Sequence, residues 1–280
     1  MNQIGINTFG LKELLHTDFA GTVHALREIG FSSIEPMVVF PEASGMEPNR
    51  MEERLRTAGQ DGAFWVSQTA RQRIRWLRGE GFSVRGAQLG LVGMVPGGLD
   101  AVLPEALRFS QACGLSYLVY SPQKKTIAQM HPDAQALRRG LELSRERGVE
   151  LLFHCHYHEF SEDQGDTPFS YLLREVPQLR IELDVGWVQF AKQDVIALME
   201  QYRERIAIVH LKDITPDASV DNIHHCFTAI GEGSLPLEGI LRKAKELPLI
   251  HPGLIVDQDA SRQDMLTDLR NGFSNIQKYV

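Results

Sequence analysis

Residues 180–214 read RIELDVGWVQFAKQDVIALMEQYRERIAIVHLKDI, and the fold turns on how this stretch is parsed. RIELD (180–184) and IAIVH (206–210) are short apolar runs, the pattern of strands buried on both faces. Between them, VIALMEQYRERI (195–206) carries apolar residues at the spacing of one buried helix face. The unit is therefore strand, helix, strand, and each strand ends on an ionisable residue, Asp184 or His210.

The same alternation runs along the chain. Strand-like segments are QIGIN (3–7), SSIEP (32–36), FSVRGAQ (82–88), SYLVY (116–120), VELLFH (149–154), RIELD (180–184), IAIVH (206–210) and GLIVD (253–257). Helical patterns lie between them. VHALREIG (23–30) stops at Gly30 and ALRRGLELSRERG (136–148) at Gly148, where Arg145 and Arg147 suit the negative end of a helix dipole. Eight strands alternating with helices form either a closed barrel or an open doubly wound sheet. An open nucleotide-binding sheet needs a Gly-rich phosphate turn after its first strand. Here NTFGLKELL follows, with neither a dinucleotide fingerprint nor a Walker loop, and GEG at 231–233 reads as a turn. The expected fold is α/β: a single (β/α)8 TIM barrel spanning 1–280, with a long rim insertion at about 36–64 whose middle, NRMEERLRTAG, suits a short helix. A chain of 280 residues fits such a barrel, typically ~250 residues long.

Composition narrows the function. The net charge is −7 with Lys and Arg scattered, which argues against a nucleic-acid partner. No apolar run approaches the ~20 residues needed to cross a bilayer, so no membrane partner is expected. The segment MNQIGINTFG has no secretion-signal pattern, and Cys113, Cys155 and Cys226 are odd in number and far apart. A cytoplasmic protein without a disulfide framework is expected.

Barrel active sites sit at the C-terminal ends of the strands. The polar residues there are Asn7 and Thr8, Glu35, Gln88, Tyr120 and Ser121, His154 and His156, Asp184, His210 with Lys212 and Asp213, and Asp257 with Asp259. Any one of these alone is more often a satisfied structural residue than a ligand. Strands five to eight, however, end in the order His154, Asp184, His210, Asp257, which places four potential ligands side by side on one rim. Carboxylates converging there repel unless a cation sits among them. Mixed imidazole and carboxylate ligands suit a divalent transition ion such as Mn²⁺, Co²⁺ or Zn²⁺ better than Ca²⁺. The strand-five segment LLFHCHYHEF (151–160) adds His154, His156 and His158 on one strand face, with Glu159 within reach if the strand bulges.

At these residues the sequence resembles the xylose isomerase-like barrels, the group of sugar phosphate isomerases and epimerases that includes ketose 3-epimerases, inosose isomerases and dehydratases, and endonuclease IV. The resemblance is carried by IELDVGWVQFAKQDVIALMEQYRERIAIVHLKDI (181–214), GEGSLPLEGIL (231–241), LIVDQDAS (254–261) and the HCHYHEF stretch. It implies a divalent metal, Mn²⁺ first with Co²⁺, Zn²⁺ or Mg²⁺ as alternatives, held by one group from each of strands five to eight: His154, Asp184, His210 and Asp257. Asp184 and His210 match the family's ligands. Ketose epimerases carry glutamates where this chain has His154 and Asp257, and those glutamates are their proton-transfer pair. In relatives with an HxH-type strand five, Glu159 can take the ligand or base role instead.

The resemblance implies an isomerase or epimerase acting on a keto-sugar or cyclitol through a metal-stabilised enediolate, with Glu159, His156 or Asp257 moving the proton. Elimination from the same intermediate gives the alternative, an inosose-type dehydratase. A non-catalytic binding or scaffold barrel and an endonuclease IV-like repair enzyme are the other classes. The acidic balance and sparse ligand set count against the repair enzyme. Glu35, Gln88, Trp187 and Lys212 are the expected contacts to a small-molecule carbohydrate substrate, with Asp213 neutralising Lys212. Barrels with a long rim insertion often pair, so a homodimer is a further expectation.

Overall fold

The computed structural model describes residues 3–280, so the first two residues of the expected domain lie outside it. Strand one is Ile4–Asn7, three Gly86–Leu89, four Tyr117–Tyr120, five Glu150–His154, six Arg180–Asp184, seven Ile206–Leu211 and eight Leu254–Val256. Strand two is split by Pro36 into Ser33–Glu35 and Met37–Val39. This split closes the barrel. Ser33–Glu35 pairs in parallel with strand one, and Met37–Val39 pairs with strand three. A proline has no N–H to give a ladder, so the strand changes partner where that donor is missing. All neighbouring pairs around the ring are parallel.

The segment expected as an irregular rim insertion is largely ordered into elements. It holds Met37–Val39, a short turn of 3-10 helix at Pro41–Ser44, a helix at Pro48–Thr57, and a further strand, Phe64–Val66, pairing with Met37–Val39. Two helices also differ in length from the sequence reading. The helix read at 136–148 begins earlier, at Ile127, because the Thr126 side chain accepts from the Gln129 N–H and caps it. The helix read at 195–206 ends at Gln201. Arg205 instead turns its guanidinium to the carbonyls of Leu173, Val176 and Leu179, which ties the turn before strand seven to the end of helix Pro168–Glu175 and the turn into strand six.

The main core lies between strands and helices. Inside the barrel, Tyr117, Val119, Leu152, Ile208 and Ile255 form a separate apolar plug. The inward side chains of each strand alternate, so the next inward positions toward the C-terminal ends are Glu35, Gln88, His154, Glu182, His210 and Asp257. Among the described residues no helix is long and apolar enough to cross a membrane.

Helix Val185–Phe190 follows strand six at once and lies against the end of strand seven. Gly186 makes that possible: a Cβ there would lie 2.4 Å from the Lys212 carbonyl oxygen and 2.7 Å from its Cβ. Gly186→Ala is expected to cost about 2–3 kcal/mol by this overpacking. Urea unfolding of the variant checks it, and an unchanged midpoint would show that the two segments part without strain.

Candidate metal centre and active site

Four side chains from strands five to eight converge at the C-terminal rim. His154, Asp184, His210 and Asp257 each offer a ligand atom, and these atoms lie within 4.8 Å of one another. All four residues are buried. Local structure fixes each in place. Asp184 caps the helix that follows it: Oδ1 accepts from the Trp187 N–H at 2.8 Å, leaving Oδ2 without a hydrogen bond. The Asp257 backbone N–H extends the ladder to the Leu211 carbonyl, and its Oδ1 also lacks a hydrogen bond. His210 turns Nδ1 toward Asp257 Oδ2 at 3.3 Å. His154 Nε2 lies 3.9 Å from Asp184 Oδ2.

Beneath this group is a second layer. His210 Nε2 is 3.2 Å from both Glu35 Oε1 and Glu182 Oε1. Glu35 also accepts from Asn7 Nδ2 at 3.0 Å and from the Tyr117 hydroxyl at 2.8 Å. Glu182 Oε2 accepts from Gln88 Nε2 at 2.8 Å and meets His154 Nδ1 at 2.9 Å. The two glutamates are pushed in opposite directions. Burial and the Glu35 charge push Glu182 up to about 8, whereas His210 overcomes the burial of Glu35 and holds it below the ordinary carboxylate range.

Lys212 is a buried cation inside this ring of acids. Its Nζ lies 2.9 Å from Asp259, 3.0 Å from Asp257 and 3.3 Å from Asp184, with the Trp187 ring centroid 4.6 Å away. The expected Lys212–Asp213 pairing is not what forms. Asp213 instead accepts backbone N–H groups from Gly231, Gly233, Leu235 and Ile214, so it ties down the GEG turn. Burial pushes the Asp184 carboxyl up to about 6 against the pull of Lys212. At Asp257 the Lys212 and His210 charges win over burial and lower it. Burial, with His210 and His156 nearby, keeps the His154 imidazole neutral, whereas the carboxylates around His210 overcome its burial and favour imidazolium.

A cavity of about 300 Å³ opens onto this centre and is lined by Asn7, Phe9, Phe64, Gln88, His154, His156, Lys212, Asp257 and Asp259 among others. His156 stands at its edge, its ring 4.9 Å from that of His154 and its Nδ1 3.1 Å from Ser121 Oγ. Burial and the Lys212 charge lower its imidazole to about 3.

Three expected contacts lie elsewhere. Strand five ends at His154, and Tyr157–Phe160 turns into a 3-10 helix, so the histidines do not share one extended face. Glu159 is drawn off by that turn. Its Oε1 accepts from the Lys124 N–H and Oε2 from the His156 N–H, and it does not line the cavity. Trp187 packs with Tyr157, Phe190 and Phe227 behind Lys212. Glu35 sits beneath the rim, bonded to protein groups rather than facing the cavity. His224 and His225 are exposed on their loop. Sequence reasoning missed Glu182, yet its signal was present: a charge two residues before Asp184 in an apolar strand must share Asp184's inward face.

Glu159 carries a pH signature. Burial raises its carboxyl to about 7, above its unfolded value of 4.5. The folded state therefore holds a proton that the unfolded chain releases, and this group's contribution declines as pH rises from about 4.5 to 7. Glu159→Gln removes that decline. The amide loses one of the two N–H bonds at every pH, so the difference in unfolding free energy between variant and parent is expected to move in the variant's favour by on the order of 2 kcal/mol between pH 4.5 and 8. A pH-independent difference in urea unfolding would contradict it.

Barrel, closing strand and ligand rim define the class, and the sequence profile agrees. The xylose isomerase-like TIM barrel profile matches residues 102–274, more than half of the chain. The chain belongs to that family. It is similar to the inosose dehydratase of Geobacillus kaustophilus (strain HTA426), 26% identical over 102 residues that make up 35% of this chain and 33% of that one. The match thus spans about a third of that relative's length. A sugar phosphate isomerase/epimerase from Parabacteroides distasonis ATCC 8503 superposes with a TM-score of 0.74 at 18% identity, covering 99% of this chain and 94% of the other. The IOLI protein, whose structure contains a bound zinc atom, superposes at 0.66 with 12% identity, covering 99% of each chain.

Proposed function

We propose that this protein is a divalent-metal-dependent isomerase or epimerase of a keto-sugar or cyclitol. The observation that carries the reading is the convergence of His154, Asp184, His210 and Asp257, of which His154 and Asp257 line the cavity. The fit of this set to a cation rests on its chemistry. Two imidazoles and two carboxylates come from four adjacent strands; the buried Asp257 Oδ1 has no hydrogen bond, and the buried Asp184 Oδ2 has none beyond the Lys212 ammonium 3.3 Å away. A divalent ion bound there supplies Lewis acidity that polarises a substrate carbonyl.

The chain's own groups do the rest. Lys212, fixed by three aspartates, places a positive charge beside the reacting centre, where negative charge develops as the carbon next to the carbonyl loses its proton. His156, neutral and at the cavity edge, takes that proton at a ring nitrogen. Its low basicity comes from burial and Lys212, and negative charge developing on the substrate raises it. Return of the proton by His156 to the neighbouring carbon gives isomerisation, and protonation of the first carbon from the opposite face by solvent gives epimerisation. Phe9, Phe64, Leu91 and Val92 give the cavity an apolar wall against solvent. A small carbohydrate is the proposed ligand. Dehydration is the second reading, favoured by the similarity to an inosose dehydratase.

The test is deuterium exchange. In D₂O with Mn²⁺, a panel of ketoses and inososes is followed by proton NMR. The reading expects metal-dependent loss of the signal next to the carbonyl, slowed at least roughly 100-fold in His156→Asn, in line with the worth of a general base. A new unsaturated or diketone product identifies the dehydratase. Exchange that ignores metal and His156 would refute both.

A further inference from the structure

Glu182 is a buried ionisable group with no place in the chemistry above, and it touches both imidazoles of the centre. Its Oε2 lies 2.9 Å from His154 Nδ1 and its Oε1 3.2 Å from His210 Nε2. The opposite nitrogen of each ring points the other way: His154 Nε2 toward Asp184 and His210 Nδ1 toward Asp257. We infer that Glu182 is a positioning residue, one carboxyl that sets the ring orientation of both histidines so that their outer nitrogens face one cation.

Donor accounting supports this. Oε2 already accepts from Gln88 Nε2 at 2.8 Å. Gln88 Nε2 can only donate, so Oε2 accepts there, and the positioning role puts the His154 hydrogen on Nδ1. With its hydrogen there, the ring leaves Nε2, the nitrogen turned toward Asp184, for a cation. At the other oxygen, the Nε2 of His210 is the carboxyl's partner at 3.2 Å. Carboxylate–histidine–metal relays ordinarily give each histidine its own acceptor. Here a single side chain on strand six serves strands five and seven. The register allows it, since Glu182 pairs with His154 on one side and lies two residues before Asp184, which pairs with His210 on the other.

The proposal rests on the metal reading, and the experiment separates the two. Nitrogen-15 NMR of the metal-free protein reads the His154 tautomer, and calorimetric titration with Zn²⁺ alone reads affinity. The parent is expected to show a protonated Nδ1 and bare Nε2 at His154. Glu182→Leu is expected to lose that tautomer and to bind zinc at least 10-fold more weakly, the scale set by loss of an outer-shell partner. Glu182→Gln keeps an oxygen for Gln88 and His154 but turns an NH₂ toward His210 Nε2. It is expected to restore the His154 tautomer and to recover only part of the zinc affinity lost in Glu182→Leu. A His154 that carries its hydrogen on Nε2 in the parent overturns the positioning role even if Glu182→Leu fails to fold. Parent-like zinc affinity in folded Glu182→Leu overturns it as well. A parent that binds no zinc overturns the metal reading itself.

Discussion

Lys212→Met is expected to destabilise the metal-free protein by about 3–5 kcal/mol, the cost of leaving buried charge without its partner. The ammonium sits among Asp184, Asp257 and Asp259 at 2.9–3.3 Å, and no other Lys or Arg makes an ion pair with these three aspartates among the described residues. Methionine keeps much of the stem's bulk against Trp187 and Phe227 and removes only the charge. The remaining aspartates then either ionise against one another or take up protons, and both weaken the fold at neutral pH. A divalent ion bound by Asp184 and Asp257 supplies the missing charge. The loss should therefore shrink on adding Zn²⁺, more than ligand binding shrinks it in the parent. Thermal unfolding with chelator and with zinc measures both. An equal loss in the two conditions would mean that Lys212 and the cation act at separate places.

Asp184→Asn is expected to act in the opposite manner, with little effect on stability and a large one on binding. Burial already raises this carboxyl to about 6, above the ordinary 3.8, so its ionised form costs the folded state free energy above that pH and a neutral amide avoids the cost. The amide oxygen can still cap the Trp187 N–H, which keeps helix Val185–Phe190 in place. What is lost is the charged Oδ2 in the ligand group. Zinc affinity is expected to fall at least roughly 100-fold and turnover roughly 1000-fold, with the unfolding midpoint nearly unchanged. A variant that keeps full turnover would remove Asp184 from the centre.

Much of the barrel was legible because each strand is a short apolar run ended by a turn residue, a signal that survives without tertiary context. Strand two was the exception. Pro36 splits it, and three-residue pieces such as Met37–Val39 and Phe64–Val66 are too short to show a period. The grouping on the rim could be placed from strand order alone, since four neighbouring strands end in His154, Asp184, His210 and Asp257. Glu159 and Asp213 could not be assigned. Each depends on which backbone N–H groups a loop leaves free, and that is set by turns the sequence does not encode locally. Lys212 was read as facing the ligand side, but its three aspartate partners come from strands six and eight. Glu182 was accessible to the parity argument that placed Asp184, but it lies one inward position below the strand's end.

The central claim is that one cation is held between strands five and eight. A crystal soaked in Mn²⁺, with diffraction recorded at the manganese absorption edge, tests it most directly. One strong anomalous peak is expected within bonding distance, about 2–2.3 Å, of His154 Nε2, Asp184 Oδ2, His210 Nδ1 and Asp257. A map with no peak there, with Lys212 Nζ still bridging Asp184 and Asp257, would contradict it.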